Sequence, residues 1–188
     1  MIASKNKGKL KEYEAMLKPL KFELFSLFDF PELNIIESGA TFEENALLKA
    51  KSLRRKTKEM IIADDSGLEV EALNNKPGVF SKRFSKEGTD EANNAKLLKL
   101  MENEISRKAR FVSVIVLLKS DGEVHYFKGV LEGYIHTVSI GEQGFGYDPI
   151  FLPSGYTQTL AELDLSVKNK ISHRAKAFKK VLDYLKLM

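Results

Sequence analysis

The run Met60-Ile61-Ile62-Ala63 limits the fold more than any other feature, because it is apolar at every position over the length of a short strand. Such a run is typical of a strand in the buried centre of a sheet. Segments with helical and with strand spacing interleave around it, and a series of strands follows. The sequence therefore predicts an α/β fold built on a mixed β-sheet.

The spacing of apolar residues predicts the individual elements. Helices are predicted at residues 9–17, 41–56 and 90–102 and in a last segment that begins near Ser172, and strands at 22–27, 60–63, 68–73, 110–118, 124–130 and 133–140. Asp121-Gly122 between two of these strands is a strong hairpin signal. No internal repeat or Pro/Ser-rich linker interrupts the chain, which indicates one domain over residues 1–188.

Composition excludes several classes of protein. The absence of cysteine rules out disulfide scaffolds, Cys-ligated zinc, iron–sulfur clusters and thiol nucleophiles. His125, His136 and His173 are too scattered for a His-rich metal site, so any metal is expected to be a hard ion held by carboxylates. No apolar run approaches the ~20 residues that span a bilayer. Since the chain also lacks a secretory signal, we expect a cytoplasmic protein with no membrane partner.

The charge balance says little about partners. Thirty Lys and Arg against 26 Asp and Glu give a net charge of +4. This excess is compatible with an anionic partner, but a lysine-rich proteome would explain it about as well. Lysines are spread along the chain and no recognised nucleic-acid motif occurs, so we expect no nucleic-acid partner. A nucleic-acid-binding module stays open as the alternative from another functional class.

Two polar clusters adjoin predicted strands. In Ser4-Lys5-Asn6-Lys7-Gly8-Lys9, backbone N–H groups at a helix N-terminus and three lysines could bind phosphate, although these six residues alone favour an ordinary solvated turn. Asp64-Asp65-Ser66-Gly67 follows the central strand and places carboxylates where a divalent metal or a general base would lie. Because neighbouring strand residues point to opposite faces, we expect one Asp to face the site and the other to cap a turn.

Three further clusters lie in loops or at helix ends. Glu37 lies in a loop and could share Mg²⁺ with a strand-end acid, whereas Glu44 is expected to cap its helix through a capping box. The segment Gly144-Phe145-Gly146-Tyr147-Asp148-Pro149 indicates either backbone that approaches a ligand closely or a plain hairpin turn. Lys168 and Ser172-His173-Arg174 could form an anion or carbonyl site at the start of the last helix.

Six ordered motifs carry a family resemblance. They are Ser4-x-Asn6-x-x-Lys9, Thr41-Phe42-x-Glu44-Asn45-Ala46-x-x-Lys49-Ala50, Ala63-Asp64-Asp65-Ser66-Gly67-Leu68, Pro77-Gly78-Val79-x-Ser81, Gly144-Phe145-Gly146-Tyr147-Asp148-Pro149 and Ser172-His173-Arg174. Together they extend over essentially the whole chain with normal spacing. By these motifs the chain resembles the inosine/xanthosine triphosphate pyrophosphatase family.

The resemblance implies a fold and an activity. The fold would be an elongated α/β structure with a central mixed β-sheet flanked by helices, two lobes with an active-site cleft between them, and assembly as a homodimer. The activity would be Mg²⁺-dependent hydrolysis of non-standard purine nucleoside triphosphates (dITP, ITP, XTP) to the monophosphate and pyrophosphate. The nearest alternative is a related Maf-type pyrophosphatase for modified pyrimidine nucleotides, against which the His173-Arg174 ending argues.

The resemblance also assigns roles by position. Ser4, Lys5, Asn6, Lys7, Gly8 and Lys9 match the triphosphate loop, and Lys49 matches a basic residue of the same pocket. Glu37 and Asp65 match metal-binding acids, and Asp65 also matches the proton acceptor. The remaining matches are substrate contacts: Ser66, Phe145, Gly146, Tyr147, Asp148, Lys168, His173 and Arg174. Lys5 and Lys82 depart from the small residues common in the family, which leaves the contact of the 77–84 loop open.

Overall fold

The structure, a computed structural model, describes residues 3–17 and 26–187. These residues divide into two compact units. Unit 1 takes its described residues from Met1–Asp65, Ser113–Gly129 and Arg174–Met188, and unit 2 takes Ser66–Val112 and Val130–His173.

Helices and one sheet make up the regular structure of the described residues. The α-helices are α1 Lys7–Leu17, α2 Phe42–Arg54, α3 Asp90–Leu100, α4 Leu165–Ile171 and α5 His173–Leu185, and the strands are β1 Ile61–Val70, β2 Lys76–Pro77, β3 Lys108–Leu118, β4 Val124–Ile135 and β5 Phe151–Pro153. The strand order is β2-β1-β3-β4-β5, and β2 pairs with β1, and β5 with β4, in antiparallel fashion. The predicted α/β fold with a sheet flanked by helices is confirmed.

Two apolar clusters form the core of unit 1. One joins α1 to α5 and contains Tyr13 and Phe178, whose rings meet edge to face with centroids 5.5 Å apart. The other joins α2 to β1 and contains Ala46, Ala50 and Ile61, all fully buried. Burial of these apolar faces fixes α1, α2 and the first half of β1, the elements that carry Lys9, Lys49 and Asp65.

A single apolar cluster forms the core of unit 2. Leu97 of α3 and Met101, which directly follows that helix, lie in it together with Tyr147 from the glycine-rich turn. Phe111 and Phe151 contribute rings whose centroids are 4.6 Å apart. The cluster therefore anchors α3 and the glycine-rich turn to the same core.

The structure corrects the predicted strands at several points. Residues 61–63 and 68–70 of the predicted strands 60–63 and 68–73 belong to one strand, β1, which runs through the acid pair without a turn, whereas Glu71–Leu73 form a 3₁₀ helix. The predicted separate strand 133–140 is wrong: its first three residues continue β4, which ends at Ile135, and the rest is not a strand. The strand predicted at 22–27 lies outside the described residues except for Ser26 and Leu27, and Leu27 begins a 3₁₀ helix. The short elements β2, β5 and α4 were not predicted.

The helix predictions are confirmed in place and differ mainly at their ends. α2 ends at Arg54 and α3 ends at Leu100, two residues before the predicted ends, which is the usual disagreement at a frayed last turn. Across the described ranges, no helix combines the length and the apolar character needed to cross a membrane.

Candidate active site

The turn before α1 is built by two side chains that bond to the backbone. Ser4 Oγ accepts a hydrogen bond from Asn6 N at 3.1 Å, and Asn6 Oδ1 accepts one from Lys9 N at 3.1 Å. Asn6 therefore caps the first turn of α1, where the helix dipole favours an anion. Lys5 and Lys7 are exposed on this turn, and Lys5 donates to Leu33 O at 2.9 Å.

A buried charge network connects α1 and α5 with β1 in unit 1. Lys9 Nζ lies 2.8 Å from Asp64 Oδ2, and Arg174 Nε lies 3.6 Å from the same oxygen. Arg174 also forms an ion pair with Glu12 of α1. All four side chains are almost completely buried. Burial of unlike charges in contact holds Asp64 in one position, because each charge would be costly without its partner.

A second group of unlike charges surrounds Asp65. Lys49 Nζ lies 2.9 Å from Asp65 Oδ1 and 3.0 Å from Glu37 Oε1, and it donates to Asp64 O at 3.0 Å. Asn45 Nδ2 donates to the other oxygen of Asp65 at 3.2 Å. Lys49 and Asn45 lie one helical turn apart on α2, so one face of that helix positions the Asp65 carboxylate.

The two neighbouring aspartates of β1 differ in their electrostatic surroundings. Burial alone would raise the pKa of Asp64, but Lys9 and Arg174 outweigh it and lower the pKa. Burial raises the pKa of Asp65, although Lys49 and Lys9 oppose the shift. The expectation that one of the pair caps a turn is wrong, because both lie within β1 and each meets its own lysine. Asp64 is thereby kept ionised, and Asp65 is the better proton acceptor of the two.

Glu37 and Asp65 offer oxygen ligands of the kind that Mg²⁺ prefers. Their carboxylates converge on one cationic nitrogen, Lys49 Nζ, so the structure already brings two hard oxygen donors around a positive charge. No cluster of three or more metal-ligating side chains occurs in the described ranges. Two carboxylates nevertheless fit Mg²⁺, which usually takes one or two together with substrate phosphates and water.

Glu44 has the structural role that the sequence predicted, with one difference. Thr41 Oγ1 accepts from Glu44 N at 3.1 Å, as in a capping box. The return bond to Glu44 Oε2 comes from Ala40 N at 2.7 Å, one residue before the cap. Glu37 lies in a loop, as predicted, and contacts Lys49 instead.

The glycine-rich turn of unit 2 is closed by Asp148. Its Oδ2 accepts from Phe145 N at 2.9 Å and pairs with the buried Lys168 of α4. Lys168 Nζ also lies 4.6 Å from the centroid of the Phe145 ring, on its face. Tyr147 is buried, and its hydroxyl donates to Ser81 O at 2.8 Å. The structure thus brings together Phe145, Asp148 and Lys168, while Tyr147 packs into the core.

His173 and Arg174, which the sequence analysis grouped together, fall into different units. The His173 ring stacks on Phe111 of unit 2, with centroids 4.8 Å apart and planes 10° apart. Arg174 joins Glu12 and Asp64 in unit 1. Ser66 lies on β1 and is half-buried.

Comparison with known proteins identifies the family. The model of the Ham1 family matches residues 1–184. The chain belongs to the Ham1 family. It is 47% identical over 189 residues to a dITP/XTP pyrophosphatase of Desulforamulus reducens, which covers 98% of this chain and 94% of that protein. A dITP/XTP pyrophosphatase of Exiguobacterium is 48% identical to this chain, and the match covers 96% of this chain and 93% of that protein. The structure of a HAM1 protein from Coxiella burnetii superimposes with a TM-score of 0.90 at 38% identity, covering 100% of this chain and 98% of that one.

Several residues of this Ham1 family member that shape its two clusters were missed by the sequence analysis. Glu12 and Asn45 contact Arg174 and Asp65, and Asp90 and Asn94 of α3 bond to Gly146. Asn45 belongs to the second family motif but had no assigned role, whereas no local signal marks the other three, because polar residues on an amphipathic helix are usually part of its solvated face.

Proposed function

We propose that this chain hydrolyses dITP, ITP and XTP to the nucleoside monophosphate and pyrophosphate. The observation that carries the proposal is the convergence of Glu37, Lys49 and Asp65 in unit 1, two carboxylates and a lysine that suit a metal–phosphate substrate. The names of the relatives at 47% and 48% identity support the same activity.

The triphosphate is bound by the turn before α1 and by two buried lysines. Backbone N–H groups at the N-terminus of α1 bind phosphate oxygens, and the helix dipole strengthens these bonds. Lys9 and Lys49 supply positive charge that offsets the negative charge of the triphosphate. In the substrate complex, phosphate oxygens replace Glu37 as a partner of Lys49, which frees that carboxylate for the metal.

Glu37 and Asp65 hold Mg²⁺ in this proposal. The bound ion would neutralise phosphate charge and polarise the phosphoryl oxygens. Asp65 accepts a proton from the attacking water, whose oxygen forms a bond to the α-phosphorus. The bond between that phosphorus and the bridging oxygen breaks, and pyrophosphate leaves with the electron pair. Lys49 and Asn45 keep the Asp65 carboxylate in place during this step.

The base is read by the clusters of unit 2. Phe145 offers a stacking face, and His173 and backbone N–H groups of the glycine-rich turn donate to the C6 carbonyl of hypoxanthine or xanthine. Adenine carries an amine at C6, so these donors would face another donor. Each buried donor left unpaired costs about 1–3 kcal/mol, or roughly ten- to a hundredfold in discrimination. For Arg174, the buried ion pairs with Glu12 and Asp64 favour a role in holding Asp64.

The assembly and location remain part of the proposal. We infer one functional domain over residues 1–188, a homodimer and a cytoplasmic enzyme, supported by the family match over residues 1–184 and by the sequence resemblance. Light scattering after size-exclusion chromatography measures the oligomeric state directly.

A nucleotide panel tests the activity. ITP, XTP, dITP, ATP, GTP and modified pyrimidine triphosphates are incubated with the full-length protein and Mg²⁺, and both products are quantified. We expect equal amounts of monophosphate and pyrophosphate from ITP, XTP and dITP, and much slower release from ATP. Preferred hydrolysis of the modified pyrimidines, or release of inorganic phosphate in place of pyrophosphate, would contradict the proposal.

Glu37 and Glu44 provide a matched pair for the metal assignment. Glu37→Gln is expected to raise the Mg²⁺ concentration needed for half-maximal rate about tenfold, with little change in melting temperature, because it removes one charged ligand. Glu44→Gln is expected to have the smaller kinetic effect, since Gln retains an acceptor for the Ala40 N–H. Magnesium titrations of the rate give both values. The opposite ranking would assign the metal to Glu44.

A further inference from the structure

Helix α3 holds the glycine-rich turn of unit 2 by two hydrogen bonds to one residue. Gly146 N donates to Asp90 Oδ2 at 2.7 Å, and Asn94 Nδ2 donates to Gly146 O at 3.0 Å. Asp90 and Asn94 are one helical turn apart, so both point from the same face of α3. The two bonds fix the peptide planes on both sides of Gly146.

Gly146 is, with Gly144, one of the two glycines of this turn that have a positive φ. Its φ of 65° lies in the left-handed region, which a glycine adopts at no steric cost. A glycine can also adopt many other backbone conformations, so this one has to be selected by contacts. Its neighbours are Phe145, the proposed stacking face, and Tyr147, which is anchored in the core. Fixing both peptide planes of Gly146 therefore sets the direction in which Phe145 leaves the backbone.

We infer that Asp90 and Asn94 are positioning residues for base recognition, acting through Gly146 on the orientation of Phe145. The inference rests on the proposed function, because it assigns the turn to the base of a purine nucleotide. It concerns binding and discrimination of the base, and it leaves the phosphorus chemistry to the residues of unit 1.

Lys82 has a subordinate place in this arrangement. Its Nζ lies 3.0 Å from Asp90 Oδ1, so the two oxygens of Asp90 are divided between Lys82 and Gly146. The Lys82 side chain is 70% exposed, and exposed ion pairs contribute little to stability. Asp90 therefore reaches Gly146 without help from Lys82.

The test compares Asp90→Ala with three matched variants. Asp90→Asn keeps an acceptor for Gly146 N and loses the pair with Lys82. Lys82→Ala loses that pair alone, and Glu91→Ala removes the adjacent, exposed acid of the same first turn. The last variant controls for the interaction of acidic residues with the helix N-terminus.

Two measurements are made on each variant. The first is kcat and KM for ITP, XTP and ATP. We expect Asp90→Ala to raise KM for ITP and XTP roughly tenfold, the value of one hydrogen bond to a charged group, with kcat within about twofold. In the same variant, the ratio of kcat/KM for ITP to kcat/KM for ATP should fall. In Asp90→Asn, Lys82→Ala and Glu91→Ala, both KM and this ratio should stay within about threefold of the values of the unmodified protein. The second is hydrogen exchange at the Gly146 amide, which should be at least tenfold faster in Asp90→Ala only.

The outcomes separate this inference from the proposed function. Absence of ITP and XTP hydrolysis by the unmodified protein would overturn the proposed function and with it the base-recognition role. With activity present, unchanged Gly146 exchange in Asp90→Ala overturns the inference. Equal effects of Asp90→Ala and Glu91→Ala, or a fall in kcat at constant KM, also overturn it. If Asp90→Ala fails to fold, Asn94→Asp should reproduce the KM effect, because it replaces the donor to Gly146 O by a carboxylate that repels this oxygen.

Discussion

Asp65→Asn is expected to lower kcat by about 10²-fold or more while the protein stays folded. The substitution preserves the shape of the side chain and one oxygen, so Lys49 and Glu37 can remain in place. It removes the basic carboxylate that accepts a proton from water and one charged ligand of the metal, and both losses act on the same step. Pyrophosphate release at saturating ITP gives the rate, and circular dichroism verifies the fold.

The neighbouring residue supplies the control for this result. Asp64→Asn removes the buried charge that compensates Lys9 and Arg174, so its main effect should be a loss of unfolding free energy. Asp65→Asn should lower the urea midpoint less, because Glu37 still compensates Lys49 and because burial disfavours the charge of Asp65. Near-normal turnover in Asp65→Asn would remove it from the catalytic role and leave it as a structural partner of Lys49.

The elements of the fold could be predicted where the signal is local. Thr41 caps α2, because its hydroxyl oxygen accepts a hydrogen bond from the backbone N–H of Glu44, three residues later. This three-residue spacing of Thr and Glu is visible in the sequence. The apolar run at 60–63 likewise located the beginning of β1, at Ile61. The predicted break after Ala63 was wrong because two adjacent acids suggest a turn, whereas here Lys9 and Lys49 compensate each carboxylate and the strand continues to Val70.

The partners of the site residues could not be predicted, because they are remote in sequence. Lys9 meets Asp64 across 55 positions, and Arg174 meets Glu12 across 162. Pattern analysis can place Glu12 on α1, but it cannot show that this acid is buried, since only the packing of α1 against α5 makes it so. Asp90 and Asn94 were missed for the same reason, as their contact with Gly146 spans more than 50 residues.

Arg174→Ala separates the role that the sequence resemblance gives this residue from the one that its surroundings indicate. As a base contact, Arg174 would affect the ratio of kcat/KM between ITP and ATP with little effect on stability. Its guanidinium is instead buried against Glu12 and Asp64, whose charges hold its pKa well above the usual value despite burial. Removing one partner of a buried ion pair leaves an uncompensated charge, so we expect the free energy of unfolding to fall by about 3–5 kcal/mol.

Urea denaturation of Arg174→Ala measures this loss, and Lys179→Ala, an exposed position on the same helix, serves as the control with a change within about 0.5 kcal/mol. A double variant, Arg174→Ala with Glu12→Gln, should recover part of the lost stability, because it removes the acidic charge that Arg174→Ala leaves uncompensated at position 12. Such recovery distinguishes a buried charge network from a general packing defect, which a second substitution would worsen. If Arg174→Ala were as stable as the unmodified protein and lost only its preference for ITP over ATP, Arg174 would read the base, and its ion pairs would have to open when the nucleotide binds.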